Sequence, residues 1–213
     1  MSVLDLVVYG AGGMGRELMW QLSEGCDFNL LGFVDDAPEK QGTVINNYPV
    51  VGNTQWLLER KEKTAVAIAV ANPATRKQIA KALKINSNIG FPNIIAPDVR
   101  ISEFVEMGEG CIICCGNVIT VNIKIGDFFL SNRCNTIGHD CVIGDFVTLN
   151  PMVSVSGNVV IKDNTDIGTG TKIIQGKMIG SDVIIGAGSV IIKDIPDNCT
   201  AVGMPAVPIK FHD

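Results

Sequence analysis

From Val99 to Asp194 the apolar positions return every six residues without a single insertion. Stepping by six from Ile101 through Met107, Ile113, Ile119, Ile125, Ser131, Ile137 and onward to Ile191, fifteen of sixteen positions carry an aliphatic residue or Met. Ser131 is the one break. A helix repeats at about 3.6 residues and an ordinary strand at about 2, so a strict period of six predicts a β-solenoid. Three flat faces per coil make a coil of eighteen residues and a little over five coils, a prism about 25 Å tall at ~4.8 Å per coil. The residue after each aliphatic is often Gly or Asn, as at Gly108, Gly126, Asn132, Gly138, Gly144, Asn150, Gly168, Gly180 and Gly186. Such residues tolerate positive φ, which places the corners there.

Residues 1–95 follow a different rhythm. A short apolar run, LDLVVYG, ends in Gly10-Ala11-Gly12-Gly13-Met14-Gly15, and a helical stretch covers about Arg16 to Leu22. A second strand from about Leu30 to Val34 leads into Asp35-Asp36, and a helix near Thr54 to Glu62 precedes a third strand at Ala65 to Val70. The turn Ala71-Asn72-Pro73 opens a helix from Ala74 to Leu83. Strands alternating with helices predict a small parallel sheet, hence a Rossmann-like α/β domain over 1–95 and a solenoid domain over 96–213. After Asp194 the run Ile195-Pro196-Asp197-Asn198 breaks the register, and a short tail carries His212, read as solvated.

Glycine after a first strand lets backbone approach a phosphate at the following helix N-terminus. With an acidic pair 25 residues after Gly10, this turn also suits a dinucleotide. Only about 90 residues precede the solenoid, half of a full dinucleotide-binding sheet, so a mononucleotide or nucleotide-sugar fits better.

Composition narrows the classes. A net charge of −5 with no Lys/Arg cluster argues against nucleic acid. No apolar run approaches the ~20 residues of a membrane span, and LDLVVYG lacks the features of a secretion signal, which places the protein in the cytoplasm with no membrane insertion. Of seven cysteines, Cys111 and Cys141 fall two positions before a buried aliphatic, in a slot that mostly takes small residues. Cys111 and Cys114 form a CxxC with no second pair to complete a metal site, so no metal is expected.

Candidate chemistry centres on His139, one of two histidines and the only one inside the array. An imidazole with its ordinary pKa of about 6.5 is available as a neutral base at cytoplasmic pH. Residues eighteen apart stack on successive coils, so Gly157 lies over His139. Its unencumbered N–H is placed to bond a carbonyl oxygen that develops negative charge. On one edge of the prism Asn132, Asn150, Gly168 and Gly186 form another column, with Thr169 and Ala187 one residue on, a small and polar surface for an extended ligand arm.

The six-residue register, the run Asn135-Thr136-Ile137-Gly138-His139-Asp140-Cys141-Val142-Ile143-Gly144-Asp145 and the ending VGMPAVPIK resemble the left-handed parallel β-helix acyltransferases. The front end, with YGAGGMG, FVDD and ANPATRKQ, is similar to bacterial sugar acetyltransferases, the sialic acid O-acetyltransferases and the nucleotide-sugar N-acetyltransferases of bacillosamine and perosamine synthesis. The resemblance implies a homotrimer with acetyl-CoA in the groove between neighbouring prisms. It implies His139 as general base in direct transfer, Asp140 orienting the ring, and coenzyme contacts at Asn132, Gly157, Thr169, Gly186, Ala187 and Gly188. Gly12, Gly13, Met14, Asp35, Asp36 and Asn72 are the implied contacts to a sugar or nucleotide-sugar acceptor. Two departures stand out: Met14 and Thr148 occupy positions where several relatives carry histidine, which shifts weight towards a hydroxyl acceptor such as a sialic acid. A zinc carbonic anhydrase on the same solenoid needs three histidine ligands and is excluded by a count of two. A non-catalytic trimeric nucleotide-sugar binder is the alternative outside enzymes.

Overall fold

The computed structural model describes residues 3–212 and divides into two compact units. One holds the chain up to Ala71 together with Thr75–Ile94, and the other holds Asn72–Ala74 together with Ile95 onward.

In the first unit, β1 (Leu4–Tyr9), β2 (Phe28–Val34), β3 (Val44–Ile45), β4 (Tyr48–Gly52), β5 (Thr64–Ile68) and β6 (Ile89–Gly90) form one sheet ordered β3-β4-β2-β1-β5-β6. All neighbours are parallel except the β3–β4 hairpin. Central parallel strands are covered on both faces and read as continuous apolar runs. Leu6, Val7, Val8 and all five residues of β5 are buried accordingly. The strands β3 and β6 escape the sequence pattern because they are two residues long and lie at the sheet edges, and β4 because it carries Pro49 and buries only Val50; the β3–β4 turn is made by Asn46 and Asn47, both at positive φ. Helix α1 covers Gly13–Ser23, α2 covers Thr54–Leu58 and α3 covers Pro73–Leu83. Helix α2 stops four residues short of the expected end at Glu62, with Asn53 capping it through a 3.1 Å bond from the Trp56 N–H.

The second unit is a left-handed parallel β-helix. Two-residue strands pair in parallel with a step of eighteen, as in Ile112 with Leu130, Val118 with Thr136 and Lys124 with Val142, and build three sheets. The aliphatic column from Ile113 to Ile191 points inward, and nearly every member is buried. Full burial of one such side chain contributes about 1.5–3 kcal/mol, and stacking supplies the neighbours that a lone coil lacks. The lowest coil is the exception: Ile101 is 37% exposed because no coil precedes it.

Sequence expectations at the corners and at the chain end need correction. The positive-φ residue is the third after each aliphatic, not the first: Gly110, Gly116, Asn122, Phe128, Cys134, Asp140, Phe146, Met152, Asn158, Asn164, Gly170, Gly176, Asp182 and Gly188. Gly108, Gly126, Gly144 and Gly180 are required for space instead. A Cβ at any of them would strike the Oδ1 of Asp127, Asp145, Asp163 or Asp197. Three of these carboxylates brace the same edge by accepting a backbone N–H of the coil below, at 2.8–3.0 Å, and Asp197 accepts from Ser181 at 2.9 Å.

The end of the chain is a hairpin rather than a loose tail. Cys199–Gly203 adds a strand to the solenoid, pairing Thr200 with Ile184, and Ala206–Phe211 returns antiparallel to it. His212 is half-buried, with its Nε2 2.9 Å from Thr200 Oγ1 and its N–H bonded to the Asn198 carbonyl, so it is not the solvated residue expected.

Ser131, the one break in the aliphatic column, is held in a polar network. Its hydroxyl donates to Asn117 Oδ1 at 2.5 Å and accepts from Asn135 Nδ2 at 3.0 Å, and all three side chains are buried. The amides reach onward to the carbonyls of Cys114, Asn132 and Leu149, and Asn135 Oδ1 takes the Val153 N–H. A buried polar group is tolerated only when its bonds are made, and here every member has partners.

Candidate active site

One edge of the prism follows the strands ending at Ile119, Ile137, Val155 and Ile173. There His139 Nδ1 lies 2.7 Å from Asp140 Oδ2, both side chains about half exposed. Asp140 sits at φ 59°, a left-handed corner that Asp tolerates better than most residues, and this turns its carboxylate back along the chain to the ring. The His139 hydrogen bond, aided by an amide bond from Asn122 Nδ2 to Asp140 Oδ1 at 3.2 Å, holds that carboxyl below the usual carboxylate range. An ionised acceptor at Nδ1 selects the tautomer protonated there and leaves Nε2 as a free proton acceptor.

The imidazole lies against Gly157 of the next coil. A Cβ on Gly157 would come within 2.5 Å of His139 Cε1 and Nε2, so only glycine clears room for the ring. Gly157 is buried, and among the described residues its N–H has no hydrogen-bond acceptor.

The column proposed for an extended arm lies on a different edge, separated from His139 by one flat face. Asn132 is nearly buried and its Oδ1 accepts the Arg133 N–H at 2.8 Å. Asn150 is committed to Asp166 and the Ile167 carbonyl. Gly186 is a glycine because a Cβ there would meet Val202 Cγ1 at 2.6 Å, and Gly188 because its φ is +70°. Thr169, Ala187 and Gly188 are exposed, with the Thr169 carbonyl accepting the Gly188 N–H at 2.8 Å. A single chain therefore brings His139, Asp140 and Gly157 together, and Asn132, Thr169, Gly186, Ala187 and Gly188 together, without joining the two groups.

In the first unit, the glycine turn splits into two kinds of glycine. Gly10 is at φ +100°, and Gly15 packs α1 onto the Gly10 carbonyl, so the fold needs both. Gly12 and Gly13 open onto free space, and α1 begins there with no side-chain cap. Its first N–H groups point at whatever lies beyond the turn. Met14 is half-buried; Asn72, which belongs to the second unit, is exposed just before α3.

Asp35 and Asp36 are bound up within their own unit. Asp35 accepts the Ala11 N–H at 2.8 Å and the Ala37 N–H at 3.0 Å and pairs with Lys40 at 2.8 Å. Burial pushes its pKa up, but Lys40 and the two N–H groups outweigh that and hold it below the ordinary range. Asp36 accepts from Tyr9 Oη at 2.6 Å and from the Thr54 N–H and hydroxyl at 2.7 and 2.8 Å. Burial raises its carboxyl too, and these bonds again bring it below its usual value. Burial, with the bond to Asp36, pushes the Tyr9 phenol well above its usual pKa.

Sequence reasoning missed Asn117, Asn135 and Asn122. The signal was present in each case. Asn117 and Asn135 are eighteen apart in the slot two before the aliphatic, and Asn122 is eighteen before Asp140.

Among the described residues no group of three or more His, Cys, Asp or Glu is placed to hold a metal ion, and no helix is long and apolar enough to cross a membrane.

The PglD N-terminal domain family matches residues 5–83. The acetyltransferase domain of PglB from Neisseria gonorrhoeae, solved with acetyl coenzyme A, is 31% identical with a TM-score of 0.89, over 98% of this chain and 100% of that one. WeeI from Acinetobacter baumannii is 35% identical with a TM-score of 0.87, over 97% and 100%. PerB from Caulobacter crescentus, solved with CoA and GDP-perosamine, is 27% identical with a TM-score of 0.90, over 98% and 99%. No protein of curated function matches the sequence. The chain belongs to the left-handed β-helix sugar acetyltransferases with a PglD-type N-terminal domain.

Proposed function

We infer that the protein transfers the acetyl group of acetyl-CoA to a sugar or nucleotide-sugar in bacterial surface-glycan synthesis. The observation that carries this is the His139–Asp140 pair on a framework matched end to end by the acetyl-CoA-bound PglB domain. Its setting is the cytoplasm, where acetyl-CoA and nucleotide-sugars are available.

Acetyl-CoA supplies a thioester carbonyl open to direct attack. His139 Nε2 takes the proton from the acceptor nitrogen or hydroxyl as that atom bonds to the carbonyl carbon. The resulting imidazolium, stabilised by Asp140, returns the proton to the departing thiolate. Gly157 N–H is the donor for the transient oxyanion, a role that its lack of any other acceptor supports. No acyl-enzyme forms.

His139 and the Asn132–Gly188 column sit on different edges of one prism, which supports a homotrimer. Each groove between neighbours then combines the histidine edge of one protomer with the Asn132 edge of the next. Asn132, Thr169, Gly186, Ala187 and Gly188 line the coenzyme side. Gly12, Gly13, Met14, Asp35, Asp36 and Asn72 are the residues assigned to the acceptor. The open space over Gly12 and Gly13 favours an anionic, phosphate-bearing acceptor there, and Asp35 and Asp36 act mainly by holding that turn.

The acceptor is tested by CoA-thiol release against UDP-, GDP- and dTDP-linked amino sugars and free or CMP-linked sialic acids. Stimulation by the nucleotide amino sugars is expected. A response confined to sialic acids would instead support O-acetylation, the reading that Met14 and Thr148 favour. No response to any of them would overturn the acceptor class. His139→Ala is expected to lower turnover by about 10²–10⁴-fold while coenzyme binding persists. Full turnover in that variant would exclude the general-base role.

A further inference from the structure

Three successive coils place Asn122, Asp140 and Asn158 at the same point of the histidine edge, each in the left-handed conformation at φ 56°, 59° and 56°. Their backbones are tied together: the Asp140 N–H bonds the Val121 carbonyl at 3.1 Å, and the Asn158 N–H bonds the His139 carbonyl at 2.8 Å. The site residues therefore stand on a rigid ladder. The Asp140 side chain itself is 47% exposed. A carboxylate in that position competes with water for its bonds and has several rotamers open to it.

The Asn122 amide resolves that competition. Its Nδ2 donates to Asp140 Oδ1 at 3.2 Å, while Asp140 Oδ2 faces His139 Nδ1 at 2.7 Å. The two carboxylate oxygens thus have one donor each, and the rotamer that serves the amide also serves the ring. We propose that Asn122 is a positioning residue, which fixes the Asp140 carboxylate and through it the tautomer and angle of His139. This rests on the general-base reading of His139 and adds a third member to it, on a different coil. Asn122 touches no substrate in this scheme and acts only through Asp140.

Asparagine suits the role on two counts. It tolerates the left-handed backbone that the corner imposes, and it presents a neutral donor. Aspartate would meet the first requirement and fail the second. Of the titratable groups at this corner, His139 and Asp140 face each other, and burial keeps the neighbouring Cys141 thiol protonated.

Two variants separate positioning from architecture. Asn122→Gly keeps the backbone conformation and deletes the amide. It is expected to lower kcat about tenfold, with KM for acetyl-CoA within twofold of wild type and a melting temperature within about 2 °C. Asn122→Asp puts a second carboxylate against the pair. It is expected to move the ascending limb of the kcat–pH profile to higher pH by about half a unit, a Coulomb effect across ~6 Å of solvent-exposed edge. Asn122→Gly at wild-type kcat, a loss matched by equal weakening of acetyl-CoA, or an unmoved pH limb in Asn122→Asp would each overturn the proposal. His139→Ala run alongside keeps the two readings apart. Turnover surviving in that variant fails the general-base reading, whereas a dead His139→Ala beside a fully active Asn122→Gly fails this proposal alone.

Discussion

Substituting Gly157 by alanine tests the site at its tightest point. The added methyl would sit 2.5 Å from His139 Cε1 and Nε2 and 2.9 Å from Cδ2, whereas ordinary contact begins at 3.4 Å. The ring must therefore retreat by about 0.9 Å or swing out. It has somewhere to go, because half of it faces solvent and Gly157 is not at positive φ. Stability should barely change, within about 1 kcal/mol, which for a chain of this size is a melting shift of about 2–4 °C at most. Catalysis has no such tolerance. A displacement of about 1 Å at a reacting group costs on the order of 10²-fold, and the shift also strains the 2.7 Å bond to Asp140. The alanine keeps its N–H, so the loss reports on ring placement and not on the oxyanion donor. The assay is CoA-thiol release with the best acceptor of the panel, paired with a thermal melt. Wild-type kcat in Gly157→Ala would refute the placement of the ring argued here. A large fall in melting temperature would show that the glycine serves packing instead.

The remaining predictions concern the framework. Ser131→Ala removes a partner from both Asn117 and Asn135 in a fully buried network, and a cost of about 1–3 kcal/mol should appear as a lower urea midpoint. Ile167→Ala empties part of a fully buried column and should cost about 2–5 kcal/mol by chemical denaturation, whereas Ile101→Ala, at the 37% exposed end, should cost far less. Asp35 is held below the unfolded value of about 3.9. Its contribution is therefore complete above that value and is lost as pH falls from about 4 through the folded pKa. Urea midpoints measured from pH 3 to 7 should show Asp35→Asn less stable than wild type at neutral pH, with the difference shrinking in acid; a constant gap would disprove the linkage.

Much of this protein is legible in the chain because a solenoid is close to one-dimensional. A strict period of six allows only one stacking, so an offset of eighteen in sequence is a neighbour in space. That arithmetic places Gly157 on His139, and it equally pairs Asn117 with Asn135 and Asn122 with Asp140. The hydrophobic period alone thus determined the prism and the edge on which His139 stands, and the alternation of apolar and helical runs determined the α/β front end. Only the tertiary structure decided the rest. Which residue of a corner turns left-handed depends on backbone geometry that composition does not encode, so Phe128 and Phe146 adopt positive φ while Gly126 and Gly144 do not. Gly126 and Gly144 are glycine because an aspartate of the next coil fills the space of their Cβ, a contact with no local signature. The direction of each side chain was equally hidden. A polar interior residue reads as a defect until Asn117 and Asn135 are seen to satisfy it, and nothing local to Asp35-Asp36 announces that Lys40, Tyr9 and Thr54 hold the pair. Sequence period sets which residues are neighbours, but hydrogen-bond direction and excluded volume act over a few ångströms in three dimensions, and only the folded chain brings those into play.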